Sequence, residues 1–323
     1  MCVVIPTWNG WDMLEHCLIA LDRQTVHPAQ VVVVDNGSGD GTGSKVRDRW
    51  PRVQVVDLPE NEGFAGGCNR GIEAAARDLD IVLLNNDARP DPTWLEELVR
   101  AGDAAPARVG VLSAKMIGSN GLIDSTGDYL TSWGMAFQRG HGELDEGQYD
   151  RSTDIFSACG GASLFRRTLL EQVGTFDESF FAYYEDVDLC FRARLAGWDV
   201  QLVPGATVVH EGGGTSGRVL GFRRYHASRN VWFLLVKNVP TPLLPGLLLR
   251  TALVQAWWLL AAARHRQLGT ALRAHRDALR RVPELLRARR VVQARRAVAV
   301  SEVARWLPRR RSDVSARTSD RPG

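Results

Sequence analysis

A chain of 323 residues, 45% apolar and 24% charged, has the make-up of an ordinary folded soluble protein, with room for one large domain or for one domain plus an appendage. The net charge of +3 hides a division: residues 264–323 carry 17 Arg and no Lys against 5 acids, whereas residues 1–263 carry 23 basic and 32 acidic groups. Five scattered cysteines without a CxxC pair exclude a disulfide framework and a zinc knuckle, and read as small buried hydrophobes.

The opening MCVVIPTWNG lacks the charged start, long apolar core and cleavage site of a signal peptide, so a reducing, cytoplasmic setting is expected. Residues 2–6 and 30–35 are short apolar runs ending in polar turns, as buried parallel strands do. Between them Leu14, Cys17, Leu18 and Leu21 fall at helical spacing. The alternation continues through VQVVDL (strand), FAGGCNRGIEAAARD (helix), DIVLLNND (strand), PTWLEELVRAG (helix, with Pro92 near its first turn) and VGVLSAKMI (strand). Such alternation predicts an α/β fold with a mostly parallel sheet covered on both faces.

From about 118 to 154 the pattern weakens into Gly-rich turns, with a hairpin expected around Tyr129–Gln138. Order returns at IFSACGGASLFRR, in FFAYYEDVDLCFRARLAGW, and in the strand-like WDVQLVP and ATVVH. Val187, Phe191 and Leu195 predict a helix from Glu185 to about Ala196, stopped by Gly197. Glu185, Asp186 and Asp188 then fall in its first turn, where unpaired N–H groups and the helix dipole favour negative charge. Each is either functional or a structural cap.

Ligands of open α/β sheets bind at the carboxyl ends of strands. Three such ends carry polar residues: PTWN, VDNGSGDGT with Asp35 and Asn36, and LLNNDARP with Asp87. A carboxylate there serves a base, a ribose or a cation, or else caps a helix. GSGDGTG does not match GxGxxG and follows the second strand, and no P-loop is present, which argues against nicotinamide enzymes and P-loop NTPases. His210 ends a later strand before a glycine run able to fold over a site; it reads either as a ligand or as a satisfied polar residue.

Together, VVIPTWNG, VVVVDNGSGDGT, NEGFAGGCNRGI, LLNNDARPDPTWL, GGASLFRR, FDESFFAYYEDVDLCFRARLAGW and VVHEGGGTSG resemble the family 2 inverting glycosyltransferases, most closely the bacterial rhamnosyltransferase-like branch. The resemblance runs from residue 2 to about 238. It implies a GT-A fold, a nucleotide-diphosphate sugar donor and a divalent cation, Mg²⁺ or Mn²⁺. By position it implies nucleoside contacts from Thr7, Asp35 and Asn36, donor contacts from Gly66, Asn69, Arg70 and Asn86, and metal ligation by Asp87 and His210. It makes Asp186 the catalytic base and gives Glu185, Asp188, Gly160, Gly161 and Tyr184 acceptor-side or supporting duties. The chain departs from the family pattern at Asn36, at Asn85-Asn86-Asp87 and at Arg89, where relatives carry further acids.

A cation at Asp87 would offset charge on a departing diphosphate, and one carboxylate taking the acceptor's proton gives a single displacement with inversion. A double displacement needs a nucleophile on the opposite face of the sugar, and Glu185 and Asp188 do not share a helix face with Asp186. The expected domains are a catalytic domain over 1–238, an apolar then Arg-rich helical region over 239–308, and a disordered tail over 309–323. Leu243–Ala263 is long enough to span a bilayer, but Pro245, Arg250 and Gln255 favour an interfacial segment, with Trp257 and Trp258 at headgroup level. The expectation is a peripheral enzyme at the inner face of the cell membrane, with a lipid-linked or glycan acceptor and no nucleic-acid partner. The rival readings are a sugar-nucleotide pyrophosphorylase, for which PTWNG lacks the basic Gly-rich loop, and a nucleic-acid-binding protein using the Arg-rich tail.

Overall fold

The structure, a computed structural model, describes residues 1–151, 153–212 and 221–308. The glycine run after Gly212 and the tail from Arg309, expected to be mobile and disordered, lie outside the described residues.

The first half alternates as expected: β1 (Cys2–Thr7), α1 (Trp11–Asp22), β2 (Gln30–Asp35), α2 (Thr42–Arg49), β3 (Gln54–Asp57), α3 (Gly63–Ala74), β4 (Ile81–Leu84). A short β5 (Ala88–Pro90), α4 (Trp94–Ala104) and the long β6 (Val109–Gly118) follow. Pro92 lies just before α4 rather than in its first turn. β7 (Ile123–Ser125) pairs with β6, and β8 (Asp128–Leu130) and β9 (Ala136–Gln138) form the expected hairpin. Then come β10 (Ala162–Phe165), α5 (Arg167–Val173), a 3-10 turn (Glu178–Phe180), α6 (Glu185–Leu195) and β11 (Asp199–His210).

The nine-stranded sheet runs β3-β2-β1-β4-β10-β6-β11-β5, with β7 at the side of β6. β1 to β4 are parallel, but β10 runs against both β4 and β6, and β5 runs against β11, so the sheet is mixed. The reversal of β10 follows from its connection: the chain enters it from the hairpin region rather than over a helical crossover. WDVQLVP and ATVVH, expected as separate strands, are one strand with an irregularity between Val203 and Thr207.

Side chains of β1 alternate between two apolar layers: Val3 and Ile5 pack with α1 and α4, while Cys2 and Val4 pack with α3, α5 and α6. All five cysteines are free and four are buried, as their apolar surroundings predicted. A third layer forms beyond α6. There Val187, Phe191 and Leu195 meet α7 (Phe222–Asn238), while Leu189, Cys190 and Ala193 face the sheet. α6 is therefore buried all round, so its apolar residues exceed the single stripe the spacing suggested. α8 (Leu244–Arg264), α9 (Leu268–Arg280), α10 (Val282–Ala294) and α11 (Val300–Trp306) complete this layer. Residues 297–308 return to the sheet-bearing body, where Ala297 N–H donates to the Leu195 carbonyl and Ser132 N–H to that of Pro308.

Candidate active site

The carboxyl ends of β1, β2 and β4 are tied together by side chains. The Asn86 amide donates to the Thr7 hydroxyl at 2.9 Å, joining β4 to β1. Asn9 N–H donates to Ser38 Oγ, and Asn9 Oδ1 accepts from Gly39 N–H, joining β1 to the turn after β2. Asp35 accepts from the N–H groups of Ser38 and Gly43, which fixes that turn and the start of α2. Asn36 donates to the Gly63 carbonyl and accepts from Glu62 N–H, pinning the entry to α3. Thr7, Asp35 and Asn36 are thus buried at the strand ends; Asp35 is not the N-cap of α2, which is Gly41, but it accepts from Gly43 N–H in the first turn of that helix.

On α3, Gly66 lies against Glu62, where a Cβ would come within 2.6 Å of the glutamate side chain. Arg70 pairs with Glu62, Glu73 and Glu178. Asn69 is buried, exchanging two hydrogen bonds with the Phe176 backbone and donating to Glu178. Its side chain holds α3 to the loop after α5.

Asp87 follows β4. His210, at the end of β11, turns Nε2 to Asp87 Oδ1 at 3.2 Å and Nδ1 to Asp124 Oδ2 at 2.8 Å. Asp124 also meets His141 at 3.3 Å. Burial alone would lower the His210 pKa, but the two carboxylates override it and raise it to about 10. With the Asp124 carboxylate holding Nδ1, a cation displacing the Nε2 proton would find that nitrogen already aimed beside Asp87, the arrangement that supports a metal-ligating histidine. One carboxylate and one imidazole facing each other fit a Mg²⁺ or Mn²⁺ that takes its remaining ligands from phosphate oxygens and water. Among the described residues no group of three protein ligands converges. Arg89 points to Glu211 instead, at 3.5 Å.

Asp186 is reached from β4 through two glycines. Asn85 N–H donates to the Gly161 carbonyl at 2.8 Å, and Gly160 N–H donates to Asp186 Oδ2 at 3.0 Å. A Cβ on Gly161 would meet Asn85 at 2.8 Å, and one on Gly160 would meet Phe64 at 3.2 Å and Asp186 at 3.4 Å. Glycine is what lets the Asp87 strand end and the start of α6 approach one another. Asp186 Oδ1 accepts from Val187 N–H at 2.7 Å. Burial raises its pKa above the ordinary carboxylate value although these N–H groups pull the other way.

The other two acids differ. Asp188 is fully buried and fully paired, with Arg192 and Lys237 each at 2.9 Å and Asn238 at 2.7 Å. Glu185 is 5% exposed and its Oε2 has no partner. Burial, then the charges of Asp186 and Asp188, push its pKa well above the usual range.

The segment before α6 is strained. Phe181, Tyr183 and Tyr184 have φ of 65°, 67° and 72°, left-handed conformations that cost on the order of 1–3 kcal/mol each outside glycine. Asn230 of α7 compensates: its amide donates to the carbonyls of Phe180, Ala182 and Tyr183 at 2.7–2.9 Å. Arg229 adds donors to Ser179 and Phe180. Tyr184 extends to the hairpin, where its hydroxyl accepts from Ala136 N–H at 3.5 Å. A cleft of about 400 Å³ lined by Phe181, Phe222, His226, Arg229 and Arg281 opens beside this segment.

Sequence patterns had not singled out Asp124, His141, Asp128 or Asn230. Asp128, 8% exposed on β8, has its pKa driven well above the usual range by burial and by the Asp186 charge. The two acids of LIDSTGD were the available signal; strands of three residues hid their placement.

Residues 2–174 match the family described as Glycosyl transferase family 2. The chain is 30% identical over 244 residues to the N-acetylglucosaminyl-diphospho-decaprenol L-rhamnosyltransferase of Mycobacterium tuberculosis, covering 67% of this chain and 77% of that protein. Its fold resembles the mannosyltransferase PcManGT of Pyrobaculum calidifontis in complex with GDP-Man and Mn²⁺ (TM-score 0.52, 22% identity, 91% of this chain and 84% of that one). It also resembles GalNAc-T7 with UDP, GalNAc and Mn²⁺ (TM-score 0.57, 16% identity), covering 73% of this chain and 47% of that one.

Proposed function

This chain belongs to glycosyl transferase family 2 and is a glycosyltransferase of the rhamnosyltransferase type; from that premise we propose that it transfers a sugar, rhamnose from dTDP-rhamnose, to a hydroxyl of a polyprenyl-diphosphate-linked sugar in cell-wall or surface polysaccharide synthesis. The Mycobacterium relative, whose name gives an N-acetylglucosaminyl-diphospho-decaprenol acceptor, supports the acceptor class. The rhamnosyl donor rests on the same likeness. The pyrophosphorylase and nucleic-acid readings have no support in the family match.

The observation that carries the chemistry is the glycine bridge. Gly160 and Gly161 bring Asp186 beside the β4 strand end that carries Asp87, which supports the two acting in one site. Asp186 takes the proton of the acceptor hydroxyl as that oxygen attacks the anomeric carbon from the face opposite the leaving diphosphate. Its raised pKa suits it to the task, since a base with a pKa nearer the working pH accepts a proton more readily. Asp87 and His210 would hold the divalent cation, which when bound offsets the charge of the diphosphate. A single base acting in one direct displacement gives inversion. The strand-end hinges at Thr7, Asp35, Asn36 and Asn86 shape the donor crevice, and the aromatic cleft beside Tyr183 and Tyr184 supports an acceptor wall.

The test is a panel of sugar nucleotides with a polyprenyl-diphosphate-GlcNAc acceptor, with and without Mn²⁺ or Mg²⁺. The reading expects transfer from dTDP-rhamnose that stops on chelation. Transfer undiminished in excess chelator would remove the cation, and transfer only from another nucleotide sugar would remove the rhamnosyl assignment.

A further inference from the structure

α8 has its polarity inverted. Thr251 and Gln255 are 0% and 6% exposed and face the protein, while Leu249, Leu253, Trp257 and Leu260 are 59–66% exposed on the opposite side. The outward residues recur at spacings of four, four and three, so they form one stripe along three turns. The inward face is committed: Thr251 donates to the Trp133 carbonyl at 3.1 Å, and Arg250 donates to that of Ser132 at 3.2 Å. α8 is the one helix among the described residues long and apolar enough to cross a membrane, yet one side of it is packed against the β8–β9 turn.

We propose that the Leu249–Leu253–Trp257–Leu260 face of α8, fringed by the arginines that follow it, is a docking surface for an anionic phospholipid bilayer. Arg264 and Arg266 are exposed at the end of the helix, and Arg273, Arg276 and Arg280 are exposed on α9 beside Leu268, Leu272 and Leu279. Across α8 and α9 the only acid is Asp277, which already pairs with Arg276, Arg280 and Tyr225. Apolar side chains ringed by unbalanced arginines match an interfacial helix on anionic lipid. A second copy seated on the same face would bring two arginine fringes together, which like-charge repulsion disfavours. A nucleic acid would leave the leucine and tryptophan stripe without a partner.

The surface is coupled to the reaction centre through the hairpin. α8 grips the turn at Ser132–Trp133, β8 carries Asp128, and β9 begins at Ala136 against Tyr184. The three residues of β8 span on the order of 10 Å. Docking through α8 would hold the acceptor side of the crevice close to the bilayer at the cytoplasmic leaflet; this last step rests on the lipid-linked acceptor proposed above, whereas the docking itself does not.

Co-sedimentation of the full chain with phosphatidylcholine vesicles, with and without phosphatidylglycerol, tests the surface. The wild type is expected to bind the anionic vesicles. Leu253→Asp/Trp257→Asp should weaken binding at least tenfold, since each buried apolar side chain contributes more than that factor's share. Arg264→Glu/Arg266→Glu should weaken binding to anionic vesicles by about fivefold or more per residue and leave neutral vesicles unaffected. All variants should keep the wild-type melting temperature and nucleotide-sugar binding, because the substituted side chains are exposed. A wild type that ignores anionic vesicles, or a stripe variant that binds them as well as the wild type, overturns the proposal. So does a stripe variant whose effect is to split a homodimer in sedimentation without changing vesicle binding. Loss of transfer with vesicle binding intact would instead count against the acceptor reading alone.

Discussion

At the scale of single residues, three acids in four positions at the start of α6 reach three different electrostatic solutions. Asp188 is paired with Lys237 and Arg192, Glu185 is buried with one oxygen unpartnered and its pKa pushed up, and Asp186 rests on two N–H donors. Asp188→Ala removes the carboxylate on buried Arg192 and one of the two on buried Lys237, and should cost about 3–5 kcal/mol in urea unfolding. Asp186→Asn should leave the midpoint unchanged or raise it, because it removes a charge that burial disfavours. Asp177, which pairs with Lys237, adds a pH dependence. Burial would raise its pKa, but Lys237 and Ser179 bring it from 3.8 down to about 2. A depressed folded value means the stabilisation, about 2 kcal/mol, is complete above the unfolded value and lost as pH falls from about 4 through 2. Unfolding free energy measured across that window should fall less steeply in Asp177→Asn. The sequence revealed that these acids sit at a helix start; it did not distinguish them, because Lys237 and Asn238 lie about fifty residues downstream.

At the scale of elements, the working parts are a glycine pair and a strained segment with a clamp. The periodicity of α6 and its stop at Gly197 were legible because burial and capping leave local patterns. The clamp was not, since a lone Asn inside α7 carries no pattern until the fold brings three carbonyls to it. The same applies to Asp124 and Asp128, whose strands are too short for alternation to register. Asn230→Asp keeps the shape but removes the donors, and should destabilise the protein by about 1–3 kcal/mol. Because the clamp sets the start of α6, kcat should fall well beyond the change in donor affinity. Equal losses in both would make Asn230 a purely structural residue.

At the scale of the whole molecule, the sheet, the crevice at its strand ends and the helical layer behind α6 form one continuous body, with the Arg-rich segment folded back onto it. The βα alternation made the α/β class legible through Ile117, but the reversed β10 was not, because its four residues are as apolar as a parallel strand. The basic segment seen in the composition corresponds mainly to α9, α10 and α11, and the acidic part to everything before them. In the proposed mechanism, transfer uses Asp186 as its base. Its acid limb in kcat/KM against pH should lie above the ordinary carboxylate value of about 4, given the raised pKa. The most direct test compares wild type and Asp186→Asn with donor, lipid-linked acceptor and Mn²⁺, measuring transfer rate and donor affinity together. The expected result is a rate lower by about 10²–10⁴-fold with donor affinity unchanged; transfer by Asp186→Asn at a rate comparable to wild type would contradict it.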